Sequence, residues 1–72
     1  MRVGSQILID RTTTASAAYV GVSASGTKEG DPNWSIEKIT YDEDGKPISI
    51  QWAEGTDEEV LVWDNRVTYK YK

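Results

Sequence analysis

The chain has no cysteine, no histidine and no phenylalanine. Without cysteine there is no disulfide, no thiolate metal site and no sulfur nucleophile. Without histidine the commonest metal ligand and the commonest general base are both missing, so a Ser-His-Asp triad cannot be assembled within one chain. No apolar run approaches the roughly 20 residues of a membrane span. The opening Met-Arg-Val-Gly-Ser-Gln lacks the apolar segment of a signal peptide. Basic residues are few: eight against twelve acidic ones, a net charge of −4. Nucleic-acid binding rests on Lys and Arg neutralising phosphates, so a nucleic-acid partner is not expected, and a nucleic-acid-binding barrel is disfavoured. Helical periodicity is also lacking, since apolar residues never recur at i, i+3, i+4 spacing over ten or more positions. At most a single helical turn is expected, near Asp31–Trp34 or Thr56–Glu59.

What remains is a 72-residue chain with room for one domain. Its core must come from aliphatic side chains, three tryptophans and four tyrosines, or be completed by a second subunit. The central stretch, Trp34 to Gly55, reads as a β-hairpin. Runs rich in Ile, Thr, Tyr and Trp flank Asp44-Gly45, and Asp-Gly between alternating apolar residues signals a two-residue type I′ turn. That turn pairs Glu43 with Lys46, Tyr41 with Ile48 and Ile39 with Ile50. Within the first strand Trp34 and Ile36 fall on one face, Ile39 and Tyr41 on the other. The phase change fits a β-bulge near Glu37-Lys38, with a flat strand exposing one apolar pair as the alternative.

Around the hairpin, residues 1–6 read as a flexible arm. Gln6–Asp10 is a short strand whose unbroken Ile7-Leu8-Ile9 suits a strand covered on both faces. Thr12-Thr13-Thr14 reads as a loop or strand end. Ala17–Ala24 is a second strand, with Ala18, Val20 and Val22 on one face and Tyr19 and Gly21 on the other. Gly21 leaves a gap for an aromatic ring. Ser23–Asn33 is the longest loop. Glu59–Trp63 is a further strand, Asp64-Asn65-Arg66 a tight turn, and Val67–Lys72 an alternating edge strand guarded by lysines. The fold expected is all-β, a single domain of about six short antiparallel strands forming a curled sheet, a small barrel or a sandwich around the Asp-Gly hairpin.

Chemical motifs are scarce. Asp42-Glu43-Asp44-Gly45 suggests a calcium loop, but an EF-hand register would put Thr40 first and Gln51 twelfth where acids are needed. Solvated acids at a hairpin tip are the better reading, and no metal is expected. Glu54, Asp57, Glu58, Glu59 and Asp64 form an acidic third of the chain, yet glycosidase chemistry needs a cleft that so small a domain rarely has. No glycine-rich phosphate loop is present. An enzyme, a cofactor and a small-molecule substrate are therefore not expected. Trp34, Trp52 and Trp63 read as core for at least two of the three, the alternative being a sugar-stacking platform or an interface anchor. Tyr69, Lys70, Tyr71 and Lys72 are the candidates for a subunit contact by strand addition.

Tyr19-Val20-Gly21, Trp34 with Ile36-Glu37-Lys38-Ile39, Ile50-Gln51-Trp52-Ala53-Glu54-Gly55, and Val62-Trp63-Asp64-Asn65-Arg66 occur in that order before a Tyr-rich close. Over roughly Ala17 to Tyr71 this series resembles a small β domain of virion-associated proteins from tailed bacteriophages and prophages. Glu37 departs from that pattern, which tends to be basic there. The resemblance implies a non-enzymatic structural or assembly protein of the tail, neck or capsid surface. It further implies contacts with other phage structural proteins, homo-oligomers, and a path from host cytoplasm to virion. Trp34, Trp52, Gly55, Trp63, Asp64 and Arg66 would then be a fold signature, with Arg66 pairing Asp64 or Glu54. The competing expectation is a carbohydrate-binding module using exposed Trp and Tyr.

Overall fold

The structure, a computed structural model, describes residues 4–72. Four strands form one antiparallel sheet in the order β1-β2-β3-β4: β1 is Ser5–Asp10, β2 Ala17–Ala24, β3 Ser35–Tyr41 and β4 Pro47–Trp52. Every strand pairs with its neighbour in sequence, the arrangement that short connections favour. Of the expected arm, residues 1–3 lie outside the described residues, whereas Ser5 and Gln6 belong to β1. The Gln6 amide donates to the buried Ser23 hydroxyl at 3.3 Å and to the Thr27 carbonyl, fixing that end of β1 to the long loop.

The two further segments expected as strands contribute one bridge each. Leu61 exchanges both backbone hydrogen bonds with Trp34 at 2.9 Å, and Tyr71 bridges Ala53 while Lys72 exchanges two 3.0 Å bonds with Trp52. Between them a 3₁₀ turn at Trp63–Asn65 replaces the sheet ladder. Leu61 and Trp63 are both buried while Val60 and Val67 stand about half exposed, so this segment is held by side chains rather than by a strand register. It is a lid of irregular backbone.

The hairpin corrects its own turn. Asp42 N–H donates to Lys46 O and Gly45 N–H to Asp42 O, so the loop has three residues, 43–45, with Gly45 at φ +79°. This is a type I turn closed by a left-handed glycine, not a two-residue type I′ turn. Asp42 Oδ1 decides it, accepting the N–H groups of Asp44 and Lys46, both at 2.9 Å. The pairing is thereby displaced by one residue, and Tyr41 faces Pro47 instead of Ile48. Pro47 has no N–H to donate to the ladder. The strand steps over Ile48 in a bulge, and the expected Ile39–Ile50 pair is restored beyond it. No irregularity occurs at Glu37-Lys38, where β3 runs straight with Glu37 opposite Val20 and Trp52. β3 is unbroken, as in the flat-strand alternative, but the pair it turns to the other face, Ile39 and Tyr41, is half-buried rather than exposed, and the bulge belongs to β4.

A straight β3 gives the sheet two distinct faces, because paired residues share a side. On one side Leu8, Gly21 and Ile36 line up, next to Tyr19 and Lys38. Residues 53–72 cover this side. Tyr19, Trp34, Ile36, Ala53, Leu61 and Trp63 form its buried core, with Leu8, Tyr69 and Tyr71 packed against it. The rings of Trp34 and Trp63 lie 5.9 Å apart and those of Tyr19 and Tyr71 5.6 Å apart, both pairs tilted. Gly21 provides the gap expected of it. A Cβ there would stand 2.6 Å from Trp63 Cζ3, nearer still to Cε3, and 3.2 Å from Trp34 Cε3.

Gly21→Ala therefore forces the Trp63 ring out of its seat. Overpacking of this kind costs about 1–3 kcal/mol, so the melting temperature should fall by roughly 4–8 °C per kcal/mol in a domain of this size. Thermal unfolding followed by circular dichroism and tryptophan emission checks this; an unchanged midpoint would show that the ring seat is not tight.

Candidate functional site

The signature residues fall into separate places. Trp34 and Trp63 are buried at 1% and 3% exposure, while Trp52 is 36% exposed on the opposite face of the sheet. A three-indole platform is not assembled. Trp34 donates its indole N–H to Lys28 O at 2.9 Å, tying the long loop to the core. Gly55, at φ +71°, follows Glu54 at φ +54° in the turn leaving β4. A left-handed conformation is strained for a residue with a Cβ. Glu54 is held in it by two bonds to the last segment: its N–H donates to Lys70 O at 2.6 Å, and its carboxylate accepts the Lys70 N–H at 2.8 Å.

Arg66 does not pair with Asp64 or Glu54. Its Nε donates to Asp10 Oδ2 at 2.9 Å and its guanidinium also donates to Trp63 O at 3.1 Å. The guanidinium lies 4.6 Å from the Trp63 ring centre, a cation–π contact. Asp64, which the sequence suggested as partner, is exposed, and its backbone N–H donates to Glu29 O at 3.1 Å. Asp10 wins because it closes β1 beside the 3₁₀ turn and faces Arg66 across the sheet end. Its other oxygen accepts the N–H of Thr12 at 3.0 Å and of Thr13 at 3.1 Å. The Thr13 hydroxyl, the Thr12 backbone and the Arg66 guanidinium hold the Asp10 carboxyl well below the usual carboxylate range, against the opposing effect of burial. An open depression here is lined by Leu8, Arg11, Glu29 and Trp63 around the ion pair. Its walls carry both signs of charge.

The proposed contact strand is engaged within its own chain. The Tyr69 hydroxyl accepts the Val62 N–H at 2.8 Å, the Tyr71 hydroxyl donates to Arg66 O at 2.6 Å, and Lys70 and Lys72 pair with Glu54 and Trp52. Burial, with Tyr19 and Tyr69 beside it, pushes the Tyr71 phenol above the ordinary tyrosine range.

Sequence reasoning missed the second face of the sheet. Register places Ile7 beside Val22, then Ile9, Val20, Glu37 and Trp52 in one row, then Ala18, Ile39 and Ile50 in the next. None of residues 53–72 in the core cluster lies on this side. Ile7, Ile9 and Ile50 are each at least 60% exposed. The Ile7-Leu8-Ile9 run, expected to be covered on both faces, is covered only at Leu8. Here the alternation itself held the signal: Ile7, Ile9, Val20, Val22 and Ile39 recur at period two, apart from the residues that build the core.

Comparison with family models, curated proteins and solved structures returned no match.

Two consequences of the ion pair are measurable. Arg66→Ala leaves the partly buried Asp10 carboxylate without its cation and should destabilise the fold by about 1–3 kcal/mol; denaturant unfolding with an unchanged midpoint would deny the pair a structural role. The folded Asp10 pKa lies below the unfolded value of about 3.9, so its stabilisation is fully present above that pH and is lost as pH falls below it. The stability gap between wild type and Asp10→Asn should be constant from pH 7 to about 5 and narrow below about 4. A gap independent of pH would contradict this.

Proposed function

We propose that the protein is a non-enzymatic assembly component of a tailed-bacteriophage particle, acting through protein–protein contact at the uncovered face of its sheet. The observation that carries the contact is the group of exposed apolar side chains Ile7, Ile9, Ile50 and Trp52 on one sheet face, with the half-buried Val20, Val22 and Ile39 and the single charge of Glu37 among them. Exposed apolar side chains gathered on one face mark interaction sites. The particle comes from the ordered Tyr-Val-Gly, Trp-Ala-Glu-Gly and Trp-Asp-Asn-Arg segments, which resemble virion-associated domains. On this reading the chain folds in the host cytoplasm and ends in the virion.

The contact surface is the sheet face and not the terminal strand. Tyr69–Lys72 already gives its hydrogen bonds to Trp52, Glu54, Val62 and Arg66, whereas on the sheet face Ile7, Ile9 and Ile50 are each at least 60% exposed. The carbohydrate-binding alternative retains one feature, the partly exposed Trp52 indole beside Glu37. A single ring offers one stacking surface, and its row is otherwise aliphatic.

Quantitative mass spectrometry of gradient-purified particles from the source genome tests the proposal. The protein should be present, at hundreds of copies for a capsid or tail-tube position or at about 3 to 12 for a tip, neck or fibre fitting with closed symmetry. Absence from the particle, with tryptophan emission that shifts on titration with cell-wall glycans, would transfer the assignment to the alternative.

A further inference from the structure

The sheet has two edges, and they are guarded unequally. At the β4 edge Pro47 has no N–H to offer, Ile48 is displaced in the bulge, and Trp52 exchanges its outward bonds with Lys72. The β1 edge, Ser5–Asp10, has no proline, no lysine and no bulge. Its one charged residue, Asp10, stands at the end and is held by Arg66, Thr12 and Thr13. Register decides which backbone groups of β1 face outward. The Ser25 N–H donates to Gly4 O at 3.3 Å, so by alternation Gln6, Leu8 and Asp10 bond to β2. Ile7 and Ile9 turn their N–H and C=O groups the other way. Among the described residues, no hydrogen bond from the loops or from residues 53–72 reaches those groups. Beside this edge, on the side that residues 53–72 cover, lies the depression of about 480 Å³ lined by Leu8, Asp10, Arg11, Glu29, Trp63 and Arg66. Its cations are engaged, Arg66 with Asp10 and Arg11 against the Tyr41 ring, whereas the exposed Glu29 has no ion pair among the described residues.

Resting on the reading above of a protein that works by contact, we infer that β1 receives an extended segment of a different protein as an added antiparallel strand. The segment is aliphatic at alternate positions, with a basic residue between them. Its aliphatic residues pair with Ile7 and Ile9 and exchange N–H and C=O bonds with them. Paired residues share a side, so those side chains widen the exposed face that carries Ile7 and Ile9. The residue between them lies opposite Leu8, on the side of the depression. There a lysine or arginine lays its alkyl stem along Leu8 and Trp63 and carries its charge toward Glu29. The net charge of −4 favours the same partner. A second copy of the chain fits this edge less well. In a symmetric pairing of β1 with β1 about Leu8, each Leu8 faces the other. Leu8 is already packed against its own core, so both depressions stay unfilled while two chains of like charge are brought together.

The probe is a short capped peptide of alternating valine and lysine, titrated into the full chain and followed by amide hydrogen exchange. The Ile7 and Ile9 amides should exchange fast in the free protein and about tenfold or more slowly with saturating peptide, while Leu8 is protected in both states. N-methylation of the peptide at its valines should abolish binding, and N-methylation at its lysines should leave it, because only the valines bond to β1. A valine–glutamate peptide should bind about tenfold or more weakly. Ile7→Pro removes an outward N–H that the ladder does not use, so it should keep the circular dichroism spectrum and lose the peptide. Should that variant fail to fold, the N-methylated peptides decide on the wild-type chain. Absence of protection, equal binding of the two N-methylated peptides, or loss only on methylating the lysines overturns the inference. So does equal affinity for the glutamate peptide. A wild-type dimer that Ile7→Pro dissolves also overturns it, by giving the edge to a second copy. The virion assignment fails separately: peptide binding by a protein absent from purified particles refutes only the phage role, whereas a protein present in particles that ignores the peptide refutes only the strand addition.

Discussion

The seating of two indoles over a glycine holds this molecule together. β2 can be approached closely at Gly21 because there is no side chain in the way, and Trp63 and Trp34 fill that space in contact with each other. Without phenylalanine, these two rings supply most of the aromatic volume in the core. Their positions then determine much else. Trp34 anchors the loop before β3 through Lys28, and Trp63 brings with it the 3₁₀ turn that presents Arg66 to Asp10. A sheet, a loop and an irregular lid converge on one residue that has no Cβ.

Local signals were legible where they depended on alternation. β2 was readable residue for residue, the two faces of its side chains as well, and the space at Gly21 followed from the same alternation. The hairpin was readable as an element but not in its turn, because an Asp-Gly pair does not reveal that a carboxylate two residues earlier will take two N–H groups and enlarge the loop. The Ile39–Ile50 pair nonetheless emerged as expected, since Ile48 bulges out by the one residue that the turn had added. Apolar burial set the register, and the turn was accommodated to it.

The last third was less legible for a different reason. Val60-Leu61-Val62-Trp63 has strong β propensity, yet propensity measures fit to a pleated surface with neighbours on both sides. Here Leu61 and Trp63 are drawn down onto the sheet while Val60 is left in water, which breaks the ladder after one bridge. Arg66 had nearby carboxylates in Asp64 and Glu54 and chose neither. Its partner lies 56 residues away in sequence, a distance at which no local pattern carries information. The bare face was visible as residues and hidden as a surface: an aliphatic run says that a strand is apolar on both sides, not that both sides are covered.

Chain order gives the lid a further consequence. All four strands precede residues 53–72, so the whole meander is synthesised before any of its cover is added. Truncated products that stop after Trp52 would be adhesive on both surfaces, and therefore natural clients for holding chaperones and for proteases.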